Sequence, residues 1–118
     1  MDADELLKRY AAGERDFTGA NLVGAKLVGA KLWGANLVGA NLARAKLWGV
    51  NLSGANLARA NLTRANLSGA NLSQANLRQA RLLNTKLFGA NLAGAYYDET
   101  TKFSNDFDPI SRSMRKHP

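Results

Sequence analysis

A chain of 118 residues, 46% hydrophobic and 21% charged, has the size of one small domain and enough apolar residues for a core, which excludes compositional disorder. It has no cysteine, which leaves disulfide staples, thiolate metal sites and thiol nucleophiles without residues, and a single histidine, His117, which gives histidine-based acid–base chemistry and histidine-ligated metals almost nothing to work with. The formal net charge of +7 points, if anywhere, to anionic partners.

The first element is a short helix. Asp2, followed three residues later by Glu5, resembles a capping box, and Leu6, Leu7, Tyr10 and Ala11 then recur at helical spacing before Gly13. This predicts a helix over 3–12, within a capping segment 1–14. The acidic start (Asp2, Asp4, Glu5) is unlike the basic-then-apolar start of a secretory signal, and no stretch approaches the roughly 18 apolar residues of a spanning helix. A soluble cytoplasmic protein is expected.

The second element is a repeat. Leucine recurs every five residues from Leu22 through Leu92, with Phe17 before the run and Tyr97 after it, giving seventeen units over 15–99. Alanine stands two before each centre except at Arg15, Val50 and Thr85; the residue just before the centre is usually Asn, and Gly often lies two after it. A period of five fits neither ordinary element. On an α-helix it would turn the leucines by about 140° per unit, and on a flat strand it would send them to alternate faces. A short extended piece followed by a bend solves both problems: centre and Ala point the same way, and four bends close a square coil of twenty residues around one axis. Leu22 through Leu92 and their alanines are therefore expected inside, with the Asn and Lys before the centre exposed. The column Gly29, Gly49, Gly69 and Gly89 predicts type II bends, which need a positive φ that glycine adopts freely. The column Gly24, Arg44, Arg64 and Asn84 predicts a bend without that demand.

The unit Ala-Asn-Leu-x-Gly, as in Ala35 to Gly39 or Ala90 to Gly94, resembles the pentapeptide-repeat family. The resemblance covers 15–99. It implies an all-β solenoid, a right-handed quadrilateral β-helix of about four coils, with a short N-terminal capping helix and a short helical or irregular C-terminal cap. At about 4.8 Å per coil the coils would form a rod roughly 20 Å long.

The third element, 100–118, is a cap and tail. The register breaks after Tyr97, and Phe103 followed by Phe107-Asp108-Pro109 is similar to the ending of many cyanobacterial members. Asp108 as cap, Pro109 at the first helical position and an apolar edge of Ile110 and Met114 predict a turn or two of helix, with Arg115 to Pro118 frayed. The carboxylates of Asp106 and Asp108 are read as solvated loop acids, not cation ligands.

Charge selects two surfaces. All nine acidic residues lie at or before Asp16 or at or after Asp98, so the coils between are purely basic. Folded modulo twenty, Lys26, Lys46 and Lys86 share one side with Val28, Trp48 and Phe88, a candidate interaction surface of aromatic anchors among polar groups. Arg44, Arg59, Arg64, Arg78 and Arg81 gather around an adjoining side, a candidate polyanion surface.

No enzyme is expected, because Ser53, Ser68, Ser73 and Thr63 have no histidine base nearby in the pattern. No cofactor or metal is expected either. The gyrase-directed branch of the family imitates DNA with outward carboxylates, and these coils contain none, which disfavours that role. What remains is a non-catalytic interaction or scaffold module, a monomer or weak homodimer with an unknown protein partner; the alternative is weak, sequence-independent binding of nucleic acid or another polyanion.

Overall fold

The computed structural model describes residues 1–117. Helix α1 spans Ala3–Ala11, one residue shorter than expected, and is capped by Asp2, whose side chain accepts from the Glu5 amide at 2.8 Å. Asp4 and Glu5 in its first turn and Lys8 and Arg9 in its last complement the helix dipole. Leu6 is fully buried against the first coil, and Tyr10 donates its hydroxyl to the Trp33 carbonyl at 2.7 Å.

The repeat winds as the period requires. Each side of the coil pairs in parallel with the residue twenty positions on, so that Asp16, Asn36, Asn56, Asn76 and Tyr96 form one ladder, and Lys26, Lys46, Asn66 and Lys86 another. We number the four sides by their first centres: side 1 from Phe17, side 2 from Leu22, side 3 from Leu27 and side 4 from Leu32. Within the stack, a unit followed by another coil makes three backbone bonds to it and one that closes its own corner. Around Leu22, for example, Leu22 N donates to Asn41 O, Gly24 N to Ala43 O, and Asn41 N to Ala20 O, while Ala25 N closes the turn onto Leu22 O at 3.1 Å. Leu22 through Leu92 and most of the alanines are buried; Ala20, Ala25 and Ala30, in the first coil, are only partly covered. Ala beside Leu fills a narrow interior that a second large side chain would overpack.

Two expectations about the units are corrected. Asn36, Asn41, Asn51, Asn56, Asn61, Asn66, Asn71 and Asn76 are half-buried, not exposed. Each lies between copies of itself or of another residue in the ladder and accepts through Oδ1 from the amide two residues on, as Asn56 does from Ala58 at 3.1 Å. The asparagine thus holds the start of the next bend. The second correction concerns the corners. Gly29, Gly49, Gly69 and Gly89 do have positive φ, but so do Arg44 at 60°, Arg64 at 61° and Asn84 at 56°. One bend, of the type II pattern with positive φ at its third residue alone, serves both columns. Where a further coil follows, the amide at this position donates to it, as Arg44 N does to Thr63 O at 2.9 Å, and the bend keeps the same geometry whatever the side chain.

After Tyr97 the chain makes one irregular circuit over the last coil. Short parallel strands appear there: β1 (Arg81–Leu82) pairs with β3 (Lys102–Phe103), and β2 (Tyr96–Tyr97) with β4 (Arg115–Lys116). Phe103 packs edge-on to Tyr97 and stacks on Phe107 with centroids 4.7 Å apart. The expected helical turn is a single 3-10 turn over Ile110–Arg112; the Asp108 carboxylate accepts from the Ile110 amide at 3.0 Å, Met114 is buried and Ile110 is exposed. The predicted fraying of Arg115 to His117 is wrong, because β4 is hydrogen-bonded along side 1 and His117 N donates to Tyr97 O at 2.7 Å. Pro118 lies outside the described residues. The whole measures 36 × 23 × 20 Å, the long dimension including both caps.

Candidate functional surfaces

Side 3 carries the first candidate surface. Ladder pairing sets Lys26 directly beside Lys46, and Asn66 separates Lys46 from Lys86. Outward from the same segments stand Val28, Trp48, Ser68 and Phe88, one per coil. Phe88 is 88% exposed, Val28 46% and Trp48 40%, which leaves an apolar column in water along a flat face. Trp33 is exposed on side 4, where its carbonyl is tied to Tyr10 and Arg15 lies over its ring at 5.6 Å, so it belongs with the N-terminal cap.

The arginine cluster is less available than its charge suggests. Arg59 donates through Nε to Gln79 Oε1 at 2.7 Å, and Arg78 donates through Nε to Asn76 Oδ1 at 3.1 Å with its NH1 3.1 Å from His117 Nδ1. These two guanidinium groups are held by their own neighbours. Arg44 and Arg64 stand at successive corners between sides 2 and 3, and Arg81 is exposed at the start of the next segment of side 2. Asp98 closes the cluster on the C-terminal side, its carboxylate accepting from Gln79 N, Thr100 N and Thr100 Oγ1. Partial burial pushes the Asp98 pKa up, but the bonds from Thr100, Gln79 and Thr101 together outweigh it and leave the carboxyl below its ordinary value.

Among the described residues, the candidate hydroxyls are engaged by or next to the asparagine ladders. Thr63 Oγ1 donates to Asn61 Oδ1 at 2.6 Å, and the backbone amides of Ser53, Ser68 and Ser73 each donate to Oδ1 of the Asn two residues before, with no base beside these hydroxyls in the ladders. Among the described residues no three His, Asp or Glu side chains are grouped to hold a metal ion, and no helix is long and apolar enough to cross a membrane.

The pentapeptide-repeats family model matches residues 16–34, 35–74 and 65–96 in eight copies. The chain belongs to the pentapeptide-repeat family. Its members form right-handed quadrilateral β-helices and are generally structural or interaction modules. Among solved structures, the pentapeptide-repeat protein alr5209 from Nostoc is 36% identical, with 98% of this chain and 96% of that one covered and a TM-score of 0.97. Rfr23 from Cyanothece is 41% identical over 75% of this chain and 63% of its own, with a TM-score of 0.44. HetL from Nostoc, described as involved in heterocyst differentiation regulation, is 35% identical over 83% of this chain and 53% of its own, at a TM-score of 0.41. No curated protein matches. The comparisons lend the nucleic-acid reading no support.

Proposed function

We propose that this pentapeptide-repeat domain is a non-catalytic interaction module that docks a protein partner on side 3, with the cytoplasm as its compartment and a monomer or weak homodimer as its own state. The observation that carries this is the exposure of Val28, Trp48 and Phe88 in one column beside Lys26, Lys46 and Lys86, since large apolar groups left wet on a flat strand surface favour association. Charge sets the character of the partner: the coil segments of side 3 carry Lys26, Lys46 and Lys86 and no carboxylate, so the middle of this face is best met by an acidic surface.

The test is a double variant, Trp48→Ser with Phe88→Ser. Neither side chain faces the core, so thermal stability should move by only about 0.5 kcal/mol per site. Association seen by native purification or light scattering should weaken. An unchanged partner set and oligomeric mass would remove side 3 and turn attention to Arg44, Arg59, Arg64, Arg78 and Arg81. For that surface the measurement is anisotropy with a labelled duplex, where tight binding that collapses with salt would displace the protein-partner reading.

A further inference from the structure

The last segment of side 3 is a parallel strand edge that the described residues do not cover. In the interior of this side every segment makes three bonds to the next coil: Lys86 N donates to Ala65 O at 2.9 Å, Leu67 N to Lys86 O at 2.8 Å and Gly69 N to Phe88 O at 2.9 Å. The equivalent groups facing the C-terminal end are the Thr85 carbonyl and the amides of Leu87 and Gly89. None of these three has a hydrogen-bond partner among the described residues.

The contrast with the other sides is plain. On side 1 β4 covers β2, on side 2 β3 covers β1, and on side 4 Gly94 N donates to Ser113 O at 2.8 Å. On side 3, among the described residues, only the corner is served, by Arg112, whose NH2 donates to Leu87 O at 3.0 Å and Ala90 O at 2.9 Å. Between edge and cap lies a cleft of about 230 Å³, its apolar wall made by Leu82, Leu87, Phe88, Phe103 and Phe107 and its rim carrying the opposed charges of Asp106 and Arg112. Leu87 is 8% exposed there, whereas Leu67 one coil below is fully buried.

We propose that this edge is a peptide-docking site, and that an extended segment of a partner protein adds to it as one more parallel strand, with three residues reading acidic, apolar, aromatic. The ladder dictates the bonds: the first residue donates its amide to Thr85 O and accepts at its carbonyl from Leu87 N, and the third accepts from Gly89 N. Strand alternation dictates the side chains. The first stands outward on the column of Lys26, Lys46 and Lys86, where a carboxylate is matched. The second points at the axis above Leu87, beside Phe103 and Phe107. The third stands outward beside Phe88.

A second copy of the chain does not fit this edge, although Lys26 N, Lys26 O and Val28 O at the other end of side 3 would complement it. Helix α1 lies over the first coil and the 98–117 circuit over the last, and a helix about 10 Å thick holds coils well beyond the roughly 4.8 Å that strand pairing needs. A single extended segment has no such obstacle.

The proposal rests on the interaction-module reading but uses a different surface, since Phe88 is shared while Trp48 lies two coils from the edge. The experiment is anisotropy of a fluorescein-labelled Gly-Ser-Glu-Leu-Phe-Ser-Gly peptide with the full chain, combined with amide hydrogen exchange by NMR. In the unliganded chain Leu87 and Gly89 amides should exchange at least about 100-fold faster than those of Leu67 and Gly69, and peptide should slow both. Methylating the Glu amide of the peptide, which removes the donor to Thr85, should weaken binding about tenfold. Lys86→Glu should turn the preference from Glu-Leu-Phe to Lys-Leu-Phe, and Trp48→Ser should leave peptide binding unchanged. No saturable binding by about 1 mM peptide, a weakness beyond any useful strand addition, would overturn the proposal. So would equal binding of the methylated peptide, protection of Leu87 and Gly89 without peptide, or mass growing with concentration in light scattering. Failure of the peptide while Trp48→Ser with Phe88→Ser still abolishes association would reject this edge and leave the flat side standing.

Discussion

The amide of Arg44 donates to the carbonyl of Thr63 at 2.9 Å while Arg44 itself sits at a φ of 60°. A left-handed conformation costs a non-glycine residue about 1–2 kcal/mol, and the bond to the next coil is what holds it there. Arg44→Gly should therefore raise stability by about 0.5–1 kcal/mol, the relief of strain less the added freedom of glycine in the unfolded chain. Arg44→Ala, which keeps the strain, should not. The denaturation midpoints of the two variants against the parent decide the matter; a stabilised Arg44→Ala would show that charge, not φ, was responsible.

Leu57 is fully buried in the middle of side 1, with Leu37 and Leu77 above and below it in the same column. Leu57→Asp places a carboxylate where no partner or water can reach, and the domain should not fold at neutral pH. Leu57→Ala should cost about 2–5 kcal/mol and remain folded. Circular dichroism melting separates the two, and a parent-like melt for Leu57→Asp would refute the inward placement.

Asn56 Oδ1 accepts from Ala58 N at 3.1 Å in a half-buried position, whereas Asn21 is exposed and its bond to Val23 N is 3.3 Å long. Asn56→Ala should cost about 0.5–1.5 kcal/mol and Asn21→Ala less, because a leaner bond in water is more readily replaced. Equal losses in urea titration would mean that the asparagine ladder works by packing alone.

Asp98 and Asp16 both have carboxyl groups held below the ordinary value. For Asp16 the side-chain bond from Thr18 is the largest cause, followed by the Thr18 amide; for Asp98 burial opposes the shift and the bonds from Thr100, Gln79 and Thr101 prevail. A folded-state pKa lower than the unfolded one contributes stability that is fully present above the unfolded value, near 3.9, and is lost as pH falls through the folded value. Asp98→Asn should thus be less stable than the parent at pH 7, with the gap closing below about pH 4. A gap that stays constant down to pH 2 would assign the loss to geometry, not to ionisation.

The five-residue period, the alternation of Ala with Leu and the lack of carboxylates between Asp16 and Asp98 were enough to determine the square solenoid, its inward columns and its basic flanks, because each follows from side-chain size, spacing and charge within one unit. The helix of Ala3–Ala11 was legible for the same reason: Asp2 and Glu5 act locally. What the tertiary structure alone decided are the features that depend on the neighbouring coil twenty residues away. Arg44 and Arg64 read as residues that avoid positive φ, yet the bonds to Thr63 and Leu83 impose it. Arg115 to His117 read as a tail, yet they pair with Tyr96 and Tyr97, since an unsatisfied strand edge recruits whatever backbone reaches it. The open edge at Thr85, Leu87 and Gly89 was invisible for the converse reason. No local signal marks an amide whose partner would have to come from outside the described residues.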